Sequence, residues 1–327
     1  MVKRFIKSRE TFLICAIILL ITIISLRFPG FIRPQNLANV FNDTSPLILL
    51  AIGQMIVILT KCIDLSVAAN LALTGMVVAM VNVAAPELPI VFTLMMAVSL
   101  GALLGMFNGI LVWKLAIPSI VVTLGTMTIF RGTIFVISDG KWVNSHEMSS
   151  AFKAFPRMEI FGLPVLGWIA IITVMVFTLV MSRTTLGRAF YAAGGNPHAA
   201  TYAGINVGKT QFWAFTISGA LAGLSGYLWV SRFAVSYVDI AGGFELDVVA
   251  ACVIGGVSIM GGIGTVIGAL LGALFLGIIK NALPVIDISP FWQMAISGCA
   301  IIIAVALNAQ ANRKKGRIIL KRAELKT

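Results

Sequence analysis

The chain has 327 residues, of which 59% are hydrophobic and only 11% are charged, and its mean hydropathy is +1.01. So few charges cannot cover the surface of a soluble domain, in which about a quarter of the residues are charged, so lipid must surround most of this chain. The net charge of +12 would suit nucleic acid, but the basic residues flank apolar segments, so we expect no nucleic-acid partner.

Ten apolar segments approach the length of about 20 residues that crosses a bilayer core as a helix. They lie at roughly 11–26, 46–60, 66–84, 89–113, 118–137, 163–181, 211–231, 244–260, 264–284 and 291–308, the second and eighth being short. Short turns join most of them. The sequence therefore predicts an all-α membrane protein with about ten transmembrane helices in one domain, 1–327.

The basic residues also predict the orientation of these segments. With the N-terminus inside, sixteen lysines and arginines fall on the cytoplasmic side and six on the periplasmic side. An even number of spans places both termini in the cytoplasm. The loop 138–162 then faces the periplasm and the loop 182–210 the cytoplasm. Spans two to five and seven to ten have opposite orientations, which allows an inverted repeat.

Glycines recur at four-residue spacing in three of the spans. This spacing lets helix backbones approach closely in lipid, so it predicts tight helix packing. The residues are Gly101, Gly105 and Gly109, then Gly219 and Gly223, then Gly264, Gly268 and Gly272. The four cysteines have no metal-type spacing, so we expect small buried side chains without a disulfide framework, and no metal or cofactor in this chain.

Charges inside the apolar region are rare and therefore informative. Asp64 follows Lys61 between the second and third spans. It either caps the third helix, with Lys61 as its counter-charge, or lies beside a solute path. We expect Arg131 and Lys280 to extend toward an interface or to pair within the bundle. No span carries a series of Asp, Glu and His, which weighs against a proton-coupled carrier.

Uncharged polar residues form a second set of candidates for a solute path. Their amides and hydroxyls could bind a neutral, hydroxylated solute, or could equally form hydrogen bonds between helices. Together with Asp64, the candidate path residues are Asn70, Asn108, Thr123, Thr126 and Ser258.

The cytoplasmic loop contains the segment 203–210, AGINVGKT, which is similar to a phosphate-binding loop. The stricter motif needs glycine at 203 and a preceding strand, and here the segment leads into an apolar span instead. We therefore predict that the chain has no ATPase site and is not an enzyme.

The same loop also contains a predicted short helix. Asn196 is a good N-cap and Pro197 is well tolerated in a first turn, so a helix should run through Ala203 and end at Gly204. Its small side chains suit a groove on a soluble partner, and an ordinary interfacial helix is the alternative. The candidate contact residues are Gly195, Asn196, Pro197, Ala199, Ala200 and Gly204.

Several segments together resemble one transporter family. They are Ile63–Val67 (IDLSV), Pro118–Thr126 (PSIVVTLGT), Arg131–Gly132, Ala192–Ala200 (AAGGNPHAA) with Gly204–Ile205, and Val253–Gly262 (VIGGVSIMGG). In these the chain resembles the permease subunits of bacterial ABC importers in the ribose, xylose and autoinducer-2 branch. The resemblance runs from about residue 35 to about residue 308. Lys61 and Ala68 depart from it, since the family commonly has glycine there.

The resemblance implies ATP-driven import of a sugar or sugar-like solute, of the rhamnose, ribose or autoinducer-2 type, by alternating access in the bacterial inner membrane. It implies a pore formed with a second permease copy or a paralogue, a cytoplasmic ABC-type ATPase that carries ATP and Mg, and a periplasmic solute-binding protein. Gly195–Gly204 would be the coupling helix on the ATPase, and the turn Gly255–Gly264 would add to that surface. The alternatives are a secondary transporter driven by an ion gradient and a membrane-embedded enzyme.

Overall fold

A computed structural model describes residues 9–285 and, after them, Trp292, Ala295, Gly298 and Cys299. The predicted tenth span, 291–308, lies outside the described residues apart from those four positions, as do the basic residues near the C-terminus. The described chain is a helical bundle with one small antiparallel pair, β1 (Glu159–Ile160) and β2 (Leu163–Pro164).

The α-helices of the described part number twelve, and two short 3-10 turns, Pro29–Ile32 and Phe155–Arg157, accompany them. In chain order the helices are α1 (Arg9–Arg27), α2 (Pro34–Leu59), α3 (Val67–Ala84), α4 (Ile90–Lys114), α5 (Ser119–Ser138), α6 (Ser150–Ala154), α7 (Val165–Arg183), α8 (Thr185–Gly195), α9 (Pro197–Tyr202), α10 (Val207–Phe233), α11 (Phe244–Ile254) and α12 (Val266–Val285).

Eight of the described helices are long and apolar enough to cross a membrane, namely α1 to α5, α7, α10 and α12. The predicted all-α, multi-span fold is therefore confirmed. The predicted second span, 46–60, is only the second part of α2, which begins at Pro34 and keeps Pro46 inside the helix. Almost all of α2 is buried from Ser45 onward, so this helix lies at the centre of the bundle.

The eighth span, predicted at 244–260, is wrong in its length. Its helix, α11, has 11 residues and is about 16 Å long, which is too short to cross alone. Backbone turns with positive φ limit it on both sides, at Gly243 before the helix and at Gly256, Gly261 and Gly262 after it. Here the chain forms a short helix between two irregular segments.

These irregular segments find partners for their polar groups inside the protein. Arg131, whose side chain is 20% exposed, donates to the carbonyl oxygens of Val238 and Ile240 at 2.8 and 2.7 Å. Lys280 forms an ion pair with Asp247 of α11. Both basic residues are thus held within the bundle, as one of the two sequence-based alternatives predicted.

Contacts between loops define two ends of the bundle. At one end Thr265 donates to Glu10 at 3.0 Å, and the amide of Gly262 donates to the carbonyl of Leu59 at 3.0 Å. At the other end Arg232 pairs with Asp43 at 2.8 Å, and residues 143 and 236 form a β-bridge. The first end carries the residues that the charge distribution predicts to be cytoplasmic, and we call it the cytoplasmic face.

The predicted glycine packing is confirmed in detail for α4 and α10. A Cβ atom at Gly101 or Gly105 would overlap the carbonyl oxygen of Gly219 or Phe215, and one at Gly223 would overlap the carbonyl oxygen of Ala97. The two backbones therefore touch over about three turns. Such contact provides van der Waals stabilisation where lipid offers no hydrophobic driving force.

We expect leucine at Gly219 to separate α4 from α10 and to destabilise the protein by more than about 2 kcal/mol, since overpacking typically costs about 1–3 kcal/mol. The measurement is the thermal unfolding midpoint of purified protein in detergent. Gly125→Leu is the matched control, because a Cβ atom at this helical glycine meets nothing within 4 Å. An equal loss of stability in both variants would contradict the packing role.

Candidate functional site

The cytoplasmic loop folds into two short helices, each with its own cap. The hydroxyl of Thr184 accepts the amide of Gly187 at 3.0 Å, which starts α8. The side chain of Asn196 accepts the amide of Ala199 at 3.1 Å, and Pro197 is the first residue of α9. Gly204, with φ +82°, follows the helix. The predicted start and stop signals are confirmed, although α9 ends one residue earlier than Ala203.

Exposure separates the candidate contact residues of this loop. Gly195, Asn196, Ala199 and Gly204 are exposed and Pro197 is half-buried. Ala200 is only 4% exposed, because the chain folds back and the amide of Ile205 donates to the carbonyl of Ala200. Ala200 therefore supports α9 from inside and presents no surface to a partner.

Sequence reasoning missed the largest side chain on this helix. Tyr202 is 93% exposed, an unusual environment for an aromatic ring. It lies three residues after Ala199, so both side chains share one face of α9. Helical periodicity counted from the cap at Asn196 would have placed Tyr202 on that face.

The turn between α11 and α12 adds a second exposed apolar segment, next to the end of α8. The amide of Ser258 donates to the carbonyl of Ile263 at 2.8 Å and closes the turn. Met260 is 74% exposed and Ile263 is 59% exposed. A Cβ atom at Gly262 would come within 2.6 Å of the Cα of Gly195, so the turn abuts the end of α8. We call Ala199, Tyr202, Met260 and Ile263 together the docking surface.

Behind the docking surface three backbone segments meet. The carbonyl of Leu59, at the end of α2, accepts the amide of Gly262 at 3.0 Å. A Cβ atom at Gly194 would overlap the same carbonyl oxygen, so α8 contacts α2 through its bare backbone. We call the contact of Gly194, Leu59 and Gly262 the glycine joint.

The side chain of Tyr191 stabilises the glycine joint through a hydrogen bond. The phenol of Tyr191 donates to the carbonyl of Gly264 at 2.9 Å. Partial burial raises the pKa of Tyr191, so the phenol stays protonated and keeps donating. On the opposite side Gln211 of α10 donates to the carbonyl of Thr60 at 3.3 Å.

Residues 60–66, which follow the glycine joint, are not helical, and we call them the break. The side chain of Asp64 forms hydrogen bonds within it. Asp64 is 2% exposed, and its carboxylate accepts the amide and the hydroxyl of Ser66 at 2.9 and 2.6 Å. Ser218 of α10 donates to it at 3.5 Å, and Asn108 of α4 donates to the Ser66 hydroxyl at 2.8 Å. The cluster connects the break to two other helices.

The predicted counter-charge for Asp64 is wrong. Lys61 has φ +63° and an exposed side chain, and no ion pair of the described residues joins it to Asp64. The hydroxyl and amide donors take the place of a cation. The capping interpretation is wrong in its detail, because the N-cap of α3 is Ser66 and Asp64 accepts the amide and hydroxyl of Ser66 before the helix begins.

The remaining path candidates are also buried within the single chain. Asn70 donates to the carbonyl of Gly101 at 3.1 Å, Thr123 to that of Ile63 at 3.3 Å, and Thr126 to that of Thr123 at 3.4 Å. Ser258 is 5% exposed, in the turn before α12. These bonds match the alternative of cross-helix and local hydrogen bonding, and contact with a solute stays a prediction.

By contrast, one side of α5 has no partner in the described part of the chain. Its exposed residues recur at helical spacing and include two glycines where a Cβ atom meets nothing within 4 Å. We call this side the α5 face, and its residues are Val121, Gly125, Thr128, Gly132 and Phe135. Within residues 9–285, no group of three or more His, Cys, Asp or Glu converges in a way that could hold a metal ion.

Comparison with known proteins gives a consistent result. The profile of the family described as "Branched-chain amino acid transport system / permease component" matches residues 36–305. The Haemophilus influenzae "Ribose import permease protein RbsC" is 37% identical over 96% of this chain and 97% of its own length. The Enterobacter sp. "Autoinducer 2 import system permease protein LsrC" is 35% identical over 94% of this chain and 89% of its own length. No solved structure matches the chain significantly.

We predict that Asp64→Ala destabilises the protein by about 1–3 kcal/mol, because it leaves the donors of Ser66 and Ser218 buried without an acceptor. Thermal unfolding in detergent measures this. Lys61→Gln should change stability by less than about 0.5 kcal/mol, as expected for an exposed side chain outside such a cluster. A similar loss in Lys61→Gln would instead indicate an ion pair between the two residues.

Proposed function

The chain belongs to the permease-component family of transport systems, and on that basis we propose that it is the transmembrane subunit of an ATP-driven importer for a sugar or sugar-like solute. It is a multi-pass protein of the bacterial inner membrane. Its relatives are named for ribose and for autoinducer 2, and we extend this class of polar, hydroxylated solute, including rhamnose, to the present chain. Alternating access is the proposed mechanism.

The observation that carries the proposal is the docking surface on the cytoplasmic face. Ala199, Tyr202, Met260 and Ile263 expose apolar area on the face that the charge distribution predicts to lie outside the lipid, and exposed apolar patches outside lipid typically mark protein interfaces. We propose that a cytoplasmic ABC-type ATPase covers this surface and supplies the energy. Gly195, Asn196 and Gly204 would then contact the ATPase through the exposed ends of α9, with Pro197 and the buried Ala200 setting its shape.

ATP and Mg would bind to the partner and not to this chain. The segment Ala203–Thr210 supports this view, because several of its amides already donate within the chain. The amide of Lys209 donates to the side chain of Asn206, and that of Thr210 to the backbone carbonyl of Asn206. Residues from Val207 onward continue as α10 without forming a phosphate-binding loop.

We propose that the solute path lies along the α5 face, between this chain and a second permease, either a copy or a paralogue. The open glycines leave space along this face, and Thr128 adds a hydroxyl to it. Of the six path candidates predicted from the sequence, Thr123 and Thr126 lie on the buried side of α5. Asp64, Asn70 and Asn108 are buried in the break, α3 and α4, and Ser258 is buried in the turn before α12. They would reach a solute only if the break at 60–66 rearranges.

On the periplasmic face we propose a contact with a solute-binding protein. A shallow pocket of about 480 Å³ is lined there by Ser150, Lys153, Ala154, Arg157 and Met158. Its two basic side chains suit acidic residues of such a partner. The binding protein, in this proposal, selects the solute before it reaches the path.

Purification of the tagged chain in mild detergent, followed by mass spectrometry of the recovered proteins, tests the proposed function. We expect an ABC-type ATPase to be recovered, and a second, different permease if the pore is a heterodimer. Recovery of the chain without any ATPase, in a preparation that retains a known importer complex, would contradict the proposal.

Ala199→Trp should weaken co-purification of the ATPase by about tenfold or more, equivalent to about 1.4 kcal/mol, because the ring cannot fit where a small side chain meets the partner. Ala151→Trp is the matched control, an exposed alanine in the short helix α6 on the opposite face. Quantitative pull-down measures both. Equal recovery of the ATPase with the two variants would argue against docking at α9.

Gly132→Trp should abolish most solute uptake while leaving ATPase recovery unchanged, because the ring would fill the proposed path. Leu103→Trp, at a position of α4 that is 59% exposed, is the control and should transport normally. Uptake into reconstituted vesicles measures the difference. Normal uptake by Gly132→Trp would place the path elsewhere.

A further inference from the structure

We propose that the glycine joint transmits movement of the docking helix α9 to the buried helix α2 and from there to α5. The inference rests on the proposed function, because the movement would come from the partner ATPase. It goes beyond the proposed function because it assigns the transmission of movement to the backbone contacts of Gly194, Leu59 and Gly262. Three steps connect the docking surface with the α5 face.

The first step is the short link between α9 and α8. Only Asn196 separates the two helices, and its amide donates to the carbonyl of Ala192 at 3.2 Å. Its own carbonyl accepts the amide of Ala200 at 2.9 Å. Hydrogen bonds therefore continue from one helix into the next, so a displacement of α9 carries Gly194 with it.

The second step is the joint, where backbone meets backbone. A long side chain could absorb a displacement by changing its rotamer, but Gly194 has no side chain and lies directly against the carbonyl of Leu59. The bond from the amide of Gly262 to the same oxygen holds the third segment in place. Close-packed contacts of this kind transmit strain instead of dissipating it.

The third step leads from Leu59 through the break to α5. The amide of Ile63 donates to the hydroxyl of Ser119 at 3.2 Å, and the hydroxyl of Thr123 donates to the carbonyl of Ile63 at 3.3 Å. Both α5 residues belong to its first turns, at the cytoplasmic end. A shift of the break would thus move the start of the helix that carries the α5 face.

Contiguity alone does not demonstrate coupling, so the test must separate transmission from assembly. The experiment compares solute uptake per ATP hydrolysed for vesicles containing the complete complex with wild-type chain or Gly194→Ala. The added methyl group pushes α8 away from Leu59. We expect ATPase recovery to persist and uptake per ATP to fall by about tenfold. Gly30→Ala, where a Cβ atom meets nothing within 4 Å, is the control and should keep the wild-type ratio.

A second variant decides the matter if Gly194→Ala does not accumulate in the membrane. Tyr191→Phe removes the bond to the carbonyl of Gly264 without adding an atom to the joint, and should lower the same ratio by a smaller factor. If uptake per ATP hydrolysed stays at the wild-type value in Gly194→Ala, or in Tyr191→Phe where Gly194→Ala does not accumulate, the inference is overturned and the proposed function is left intact. Absence of an ATPase from the wild-type complex would overturn both.

Discussion

A backbone that leaves the helical conformation inside a packed bundle must find hydrogen-bond partners within the protein, because buried amides and carbonyls that stay unpaired cost free energy. The described chain does so at two places. In the break at 60–66, Asp64 and the hydroxyls around it form these hydrogen bonds. In the segments beside α11, Arg131 donates to backbone carbonyls and the amide of Gly262 donates to the carbonyl of Leu59. These polar contacts fix where helices can end and which helices they must contact.

The same constraint places the functional surfaces. Because α2 ends at Leu59, the carbonyls of Leu59 and Thr60 need donors from elsewhere, and these come from the turn before α12 and from α10. The turn is thereby held against the end of α8, which leads through Asn196 into α9. The docking surface is therefore a consequence of how the central helix terminates, and the glycine joint lies directly beneath it.

Features that depend on local sequence were predictable. The cap at Asn196, the stop at Gly204 and the glycine contacts of α4 and α10 follow from short motifs and from spacing. Features that depend on distant partners were not. The pairing of Lys61 with Asp64 looked plausible from their proximity in sequence, yet the amide and hydroxyl of Ser66 and the hydroxyl of Ser218 in α10 satisfy the carboxylate. Hydropathy marked the eighth span as short but could not show where its helix ends, because Val257, Ile259 and Met260 after α11 are also apolar. The joint could not be predicted because Leu59, Gly194 and Gly262 lie far apart along the chain.

The most direct measurement of the central claim, that energy enters from a partner ATPase, is solute uptake by vesicles containing the co-purified complex and the solute-binding protein. ATP and an ion gradient are supplied separately, with ribose and related sugars as solutes. We expect uptake with ATP and none with the gradient alone. Uptake that proceeds without ATP and collapses when the gradient is dissipated would contradict the importer account and identify a secondary transporter.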